Sequence, residues 1–160
     1  GIYLRDNVGL PALLGSSGVA VFYGSMAVGR LVSAAVVARF GNRKTLLSVG
    51  TLVMIGMSVA LATPNPIVII GGFLLVGLAL SAVVPVTFSM AGDMAPGRAG
   101  SAVSVVTTFG YGGFLLGPVI VGGLAELFGL RTALGTIAVA GALVLVLALR
   151  LGTSSGGARA

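Results

Sequence analysis

Long uncharged, largely apolar runs alternate along the chain with short breaks that carry proline, glycine and charge. Each run is close to the roughly 20 residues that a helix needs to cross a bilayer's hydrocarbon core. The pattern predicts helices over residues 11–40, 45–63, 67–90, 99–128 and 132–151. Pro11 suits a first helical turn, and the basic stretch Phe40-Gly41-Asn42-Arg43-Lys44 supplies Gly and Asn for a helix end. Thr63-Pro64-Asn65-Pro66, then Asp93-Met94-Ala95-Pro96-Gly97-Arg98, then Gly129 with Arg131 supply the remaining stops.

Composition turns these helices into membrane spans. The chain is 57% hydrophobic and 8% charged, and its 27 glycines lie within apolar runs, where close-packed membrane helices use them. The predicted fold class is therefore all-α integral membrane, with five transmembrane helices and the lipid bilayer as a partner. Residues 1–10 read as the end of a missing preceding helix and an external loop, and residues 152–160 as a disordered tail. The net charge of +6 does not signal nucleic acid, because the cations sit at the ends of apolar runs without interleaved aromatics. They report topology instead. Arg39, Arg43, Lys44, Arg98, Arg150 and Arg159 collect on one side, and only Arg5 and Arg131 on the other. By the excess of positive charge, the first side is cytoplasmic and so is the C-terminus.

Cysteine and histidine are absent. Disulfides, thiolate or imidazole metal sites, and catalysis that needs either residue are excluded, and no cofactor is expected. An intramembrane hydrolase or transferase would need clustered carboxylates, a histidine, or a serine with a base, so the chain does not read as an enzyme.

The helices differ in the faces they offer. The second and fifth are almost uniformly apolar, which predicts outer, supporting positions. On the first, Ser16, Tyr23, Met26, Ala27, Ser33 and Ala34 lie near the face of Arg30. On the fourth, Gly100, Ser104, Thr107, Thr108, Tyr111 and Pro118 share a face. The third aligns Ser81, Pro85, Ser89 and Gly92, and Pro85 removes a backbone donor, which favours a bend. Arg30, Tyr23, Ser81, Pro85, Thr108 and Tyr111 are therefore the candidate lining of a solute pathway. The bland reading stands beside this one. Serine and threonine in such helices often bond only their own backbone, tyrosine also anchors spans at the interface, and Gly113-x-x-x-Gly117 is commonly a packing contact.

Arg30 is different in kind. It precedes Arg39 by nine residues, about 13 Å of helix, too far for easy snorkelling to the interface. An arginine near the bilayer centre costs roughly 2.5–3.5 kcal/mol even on the lenient insertion scale. A role in transport or gating is one explanation, and a structural bond to backbone carbonyls at a helix break is the other. The acids Asp6, Asp93 and Glu126 all fall at predicted helix ends, so no carboxylate sits at mid-span.

With these elements placed, the sequence resembles the C-terminal half of a major facilitator superfamily transporter. The family's loop motif reads roughly G-x-L-x-D-R-x-G-R-R. The stretch from Ala34 to Lys44 matches it at Arg39, Gly41 and Arg43, with Ala34, Ala38 and Asn42 in place of the first Gly, the Asp and the next Arg. Ser81-Ala82-Val83-Val84-Pro85-Val86-Thr87-Phe88-Ser89, Gly100-Ser101, the run from Tyr111 to Pro118, and Gly29-Arg30 look like the fucose-permease-like and related bacterial branch. The resemblance implies two six-helix bundles, of which this chain would supply the last five helices. It also implies a cytoplasmic gating loop of Arg39, Gly41, Arg43 and Lys44, with Asp93 expected to pair with one of its cations. The missing N-terminal helices become an expected partner, the plasma membrane the expected location, and a small organic solute the expected substrate. Sugar-like uptake and drug or metabolite efflux both fit. The rival reading is a truncated membrane protein with an assembly role and no transport of its own.

Overall fold

The computed structural model describes residues 12–154, with the side chains of residues 18–150. The expected entry segment, residues 1–10, and residues 155–160 of the expected tail lie outside the described residues, while 152–154, expected to be disordered, continue the last helix. Five helices follow in order: α1 (Ala12–Ala62), α2 (Pro66–Leu80), α3 (Val83–Met94), α4 (Ala99–Phe128) and α5 (Leu130–Ser154). Four stretches are long and apolar enough to cross a membrane, and the first of them, Gly18–Ala62, has 45 residues. That is about twice what one crossing needs.

The first stretch is two helical limbs, each long enough for one crossing. Gly41 has φ 78° and ψ 164°, a conformation that only glycine adopts without strain, and the helix breaks there. Neighbours show that the chain also reverses. Before Gly41, α1 runs parallel to α2, with Phe22 and Ser25 against Gly77 and Gly29 against Ser81. After Gly41 it runs the opposite way, with Gly56 against Leu75 and Val76, and Ala60 against Gly72. A single residue thus replaces the five-residue turn read from the sequence.

The expected third helix is α2 and α3 together. Asn65 caps it, its Oδ1 accepting from the Ile67 N–H at 3.0 Å, and Pro66 opens the first turn. Continuity fails at Ser81–Ala82, where the Ala82 N–H tightens onto the Ala79 carbonyl. Pro85 has no N–H to offer the Ser81 carbonyl, so the ladder is weakest there.

Packing adds to one expectation about the layers: the limb after Gly41 keeps Leu52, Ile55 and Val59 exposed on one face and packs the other. The second limb of α1, expected outside, supplies Val49, Val53, Met57 and Ala60 to the core, where they meet Val76, Ala79 and Ala82. Gly50 and Gly56 let α5 and α2 approach its packed side closely. A uniformly apolar composition fits a helix covered by other helices as well as one covered by lipid. By contrast α4, the most polar-striped helix, has no buried residue and packs mainly against α3 and α5.

Arg131 fastens the end opposite Gly41. Its guanidinium donates to the Leu61 carbonyl, one of the last carbonyls of α1 that lack an intrahelical partner. Arg131→Met is expected to cost about 1–2 kcal/mol, read as a lower thermal unfolding midpoint in detergent. Arg131→Lys should recover part of it.

Candidate functional site

Along the first limb of α1, one face packs and the other is open. Ser25, Gly29 and Ser33 are buried, whereas Tyr23, Ala27, Arg30, Leu31 and Ala34 are exposed. Ser33, expected on the Arg30 face, is turned inward, and its Oγ donates to the Arg30 carbonyl at 2.9 Å. Arg30 lies eleven residues before Gly41, about 16 Å of helix. An independent marker agrees: Gly29 meets Ser81, which falls at the middle of the 29-residue stretch Pro66–Met94. No described residue bonds the Arg30 guanidinium, so the structural bond to backbone carbonyls is not formed here.

Tyr23 sits two turns from Arg30 and is 63% exposed, its ring edge-on to Phe22 with centroids 5.3 Å apart. Both line an apolar cavity of about 550 Å³ with Met57, Phe73, Leu134 and Ile137. Arg30 is not part of that lining. Ser81 takes a packing position: it is 2% exposed, and its Oγ donates to the Leu78 carbonyl at 2.6 Å. Pro85 stands in the first turn of α3. On α4, Thr108 donates to the Ser104 carbonyl at 2.9 Å, and Tyr111 is 68% exposed. The structure therefore puts Arg30 and Tyr23 on one open face. It does not pack α4 as a whole against α1, so Thr108 and Tyr111 are not gathered to them.

At the Gly41 end, the expected partner of Asp93 is replaced. Asn42 Nδ2 donates to Ser89 Oγ at 3.1 Å and to Asp93 Oδ2 at 3.4 Å. Asp93 forms no ion pair with Arg39, Arg43 or Lys44. The reversal at Gly41 aims Asn42 at α3, while Arg43 turns toward α5 and its Nε reaches the Ala148 carbonyl at 3.4 Å. Arg39 sits over Phe40, 5.8 Å from the ring centroid. In sequence Asn42 signals a helix end and a departure from a motif; its bond to α3 follows because it stands beside a glycine able to reverse the chain.

Among the described residues no group of acidic side chains could hold a metal ion. Among the described residues every buried polar side chain bonds its own helix: Ser25 to Phe22, Ser33 to Arg30, Thr45 to Gly41 and Ser81 to Leu78. Arg30, exposed and between helix ends, has no bond to any described residue.

Comparison with known proteins agrees with this architecture. Residues 1–158 match the Major Facilitator Superfamily. The chain belongs to the major facilitator superfamily. An uncharacterized MFS-type transporter of Yersinia pestis is 36% identical over 137 residues, covering 86% of this chain and 36% of that protein. MosC of Rhizobium meliloti, named a membrane protein, is 36% identical over 131 residues, 82% of this chain and 32% of its own. An uncharacterized transporter of Sinorhizobium fredii is 31% identical over 147 residues, 92% of this chain and 39% of its own. No solved structure matches at comparable stringency. The chain thus spans about a third of the length of these relatives. Superfamily members are transporters and not enzymes, and membership together with the apolar helices places this chain in a membrane.

Proposed function

We propose that this chain is the C-terminal portion of a secondary transporter that moves a small organic solute by alternating access. Arg30 carries the reading. A permanently charged side chain, at mid-span and unanswered by any described residue, is maintained against its insertion cost when it serves the solute's path. Tyr23 shares its open face, and we assign Thr108 and Tyr111 to the opposite wall. Ser81 and Pro85 act from behind, at the packed break between α2 and α3. The basic Gly41 end is the cytoplasmic side, of the plasma membrane, and the C-terminus lies there too. Arg39, Gly41, Arg43 and Lys44 form the gating loop, with Asp93 held through Asn42.

The remaining helices of the transporter are the partner of α4. Its Gly112, Gly113 and Gly117 have nothing near them, and Phe109, Phe114 and Leu115 are largely exposed. A chain a third as long as its relatives leaves that face for the rest of the protein.

Thiol accessibility tests the mechanism, because the chain has no cysteine of its own. Ala27→Cys and Ala34→Cys, each in the complete transporter, should react with membrane-impermeant reagents from both sides in turn, with transported solute shifting the balance. Reaction from neither side would mean that this face meets lipid, and would favour a membrane protein with an assembly role only.

A further inference from the structure

Granting that the Arg30 face is the solute path, its chemistry also narrows the solute. We infer that the transported molecule carries an oxyanion, a carboxylate or a phosphate, and that Arg30 binds it.

The guanidinium offers five N–H donors in a planar fork. None of those donors is used within the described structure. The nearest hydroxyl in sequence, Ser33, is spent on the backbone of Arg30 and lies on the buried side. The two described acids stand at helix ends. Asp93 is next to the last residue of α3 and engaged by Asn42, about 18 Å of helix beyond the Ser81 level that Gly29 marks. Glu126 is two residues from the end of α4. Neither can neutralise Arg30. Arg30 is also too far from the Gly41 end for its head to reach a lipid phosphate, about 16 Å of helix against the short reach of one side chain.

A cation at mid-span without a counter-charge among the described residues discriminates among solutes by sign. A cationic solute is repelled. A neutral sugar or alcohol can accept a hydrogen bond but leaves the charge unmatched away from water. An oxyanion does both jobs, accepting two parallel N–H bonds from the planar fork and cancelling the charge, and such charge-assisted bonds are roughly twice as strong as neutral ones. Tyr23, two turns away on the same open face, places an exposed phenol about 10 Å along the helix, within the length of a small organic acid.

The test compares matched solutes on the complete transporter in proteoliposomes: mono- and dicarboxylates and phosphate monoesters, each beside its amide or alcohol counterpart, and a quaternary ammonium. The anionic member of a pair should compete for transport at least tenfold better than its neutral counterpart. In Arg30→Gln that preference should collapse to near unity. Arg30→Lys should keep a part of it, with the loss greatest for carboxylates, whose geometry suits the fork. The carboxylate and phosphate arms identify which oxyanion is preferred. If Arg30→Gln does not insert, the wild-type preference and its reduction in Arg30→Lys still decide. Equal recognition of neutral and anionic members overturns the inference while leaving the transport reading intact, as does an anion preference that survives in Arg30→Gln. A folded transporter that moves no member of the panel overturns both.

Discussion

Gly72→Val is expected to prevent stable assembly of the bundle, while the same change one residue earlier, at Gly71, is tolerated. A Cβ on Gly72 would overlap the Gly56 carbonyl oxygen and come within 2.6 Å of the Ala60 Cβ. Both obstacles belong to a helix locked on its other side against α5, so neither can swing away as a long side chain would. Forced overpacking of this kind costs typically 1–3 kcal/mol and more where backbone is the obstacle. A Cβ on Gly71 meets nothing within 4 Å. There, Gly71→Ala should be neutral or favourable by about 0.5–1 kcal/mol, through the higher helix propensity of alanine. Unfolding midpoints of the four single variants (alanine and valine at each position) read the contrast directly. Similar shifts at 71 and 72 would refute the α1–α2 crossing as described.

The second expected result is a rescue. Gly29→Ala would drive a methyl group into the Ser81 hydroxyl and to within 2.8 Å of the Ser81 Cβ, with the Leu78 carbonyl at a bearable 3.2 Å. The first limb of α1 must then turn or retreat, at a cost of about 2 kcal/mol. Arg30 is the next residue, so its guanidinium moves with the limb. Stability and transport should therefore fall together in Gly29→Ala. Adding Ser81→Gly removes both close atoms, and both properties should return toward wild type. A double variant that recovers stability without transport would show that Ser81 acts on the solute and not only on packing.

The parts of the fold that were legible in the sequence were those written in backbone chemistry. Pro64, Asn65 and Pro66 end one helix and cap the next. Gly97 and Gly129 stand at positive φ where turns were read, and Pro85 marks a weakened ladder just ahead of it. What was illegible depends on which face meets a neighbour. The pair Gly113 and Gly117 has the spacing of a packing motif yet touches nothing, whereas Gly29, Gly50 and Gly77, without that spacing, lie against other helices. A glycine says that a neighbour can come close; it does not say that one does. Ser81 was read as a lining residue for the same reason, since a hydroxyl bonded to its own backbone looks no different in sequence from one offered to a solute. Asn42 is legible as a helix-end residue, but its bond to Ser89 and Asp93 arises only after Gly41 reverses the chain.

That reversal bears on how the protein is made. With a single residue joining the two limbs of α1, the first limb cannot settle into the bilayer while the second waits in water: there is no slack to bridge the two places, and the second limb is as oily as the first. The pair must leave the insertion machinery as one unit. Side chains other than glycine at position 41 would then be penalised during biosynthesis, as failure of a hairpin to close, before the finished bundle has any stability to lose.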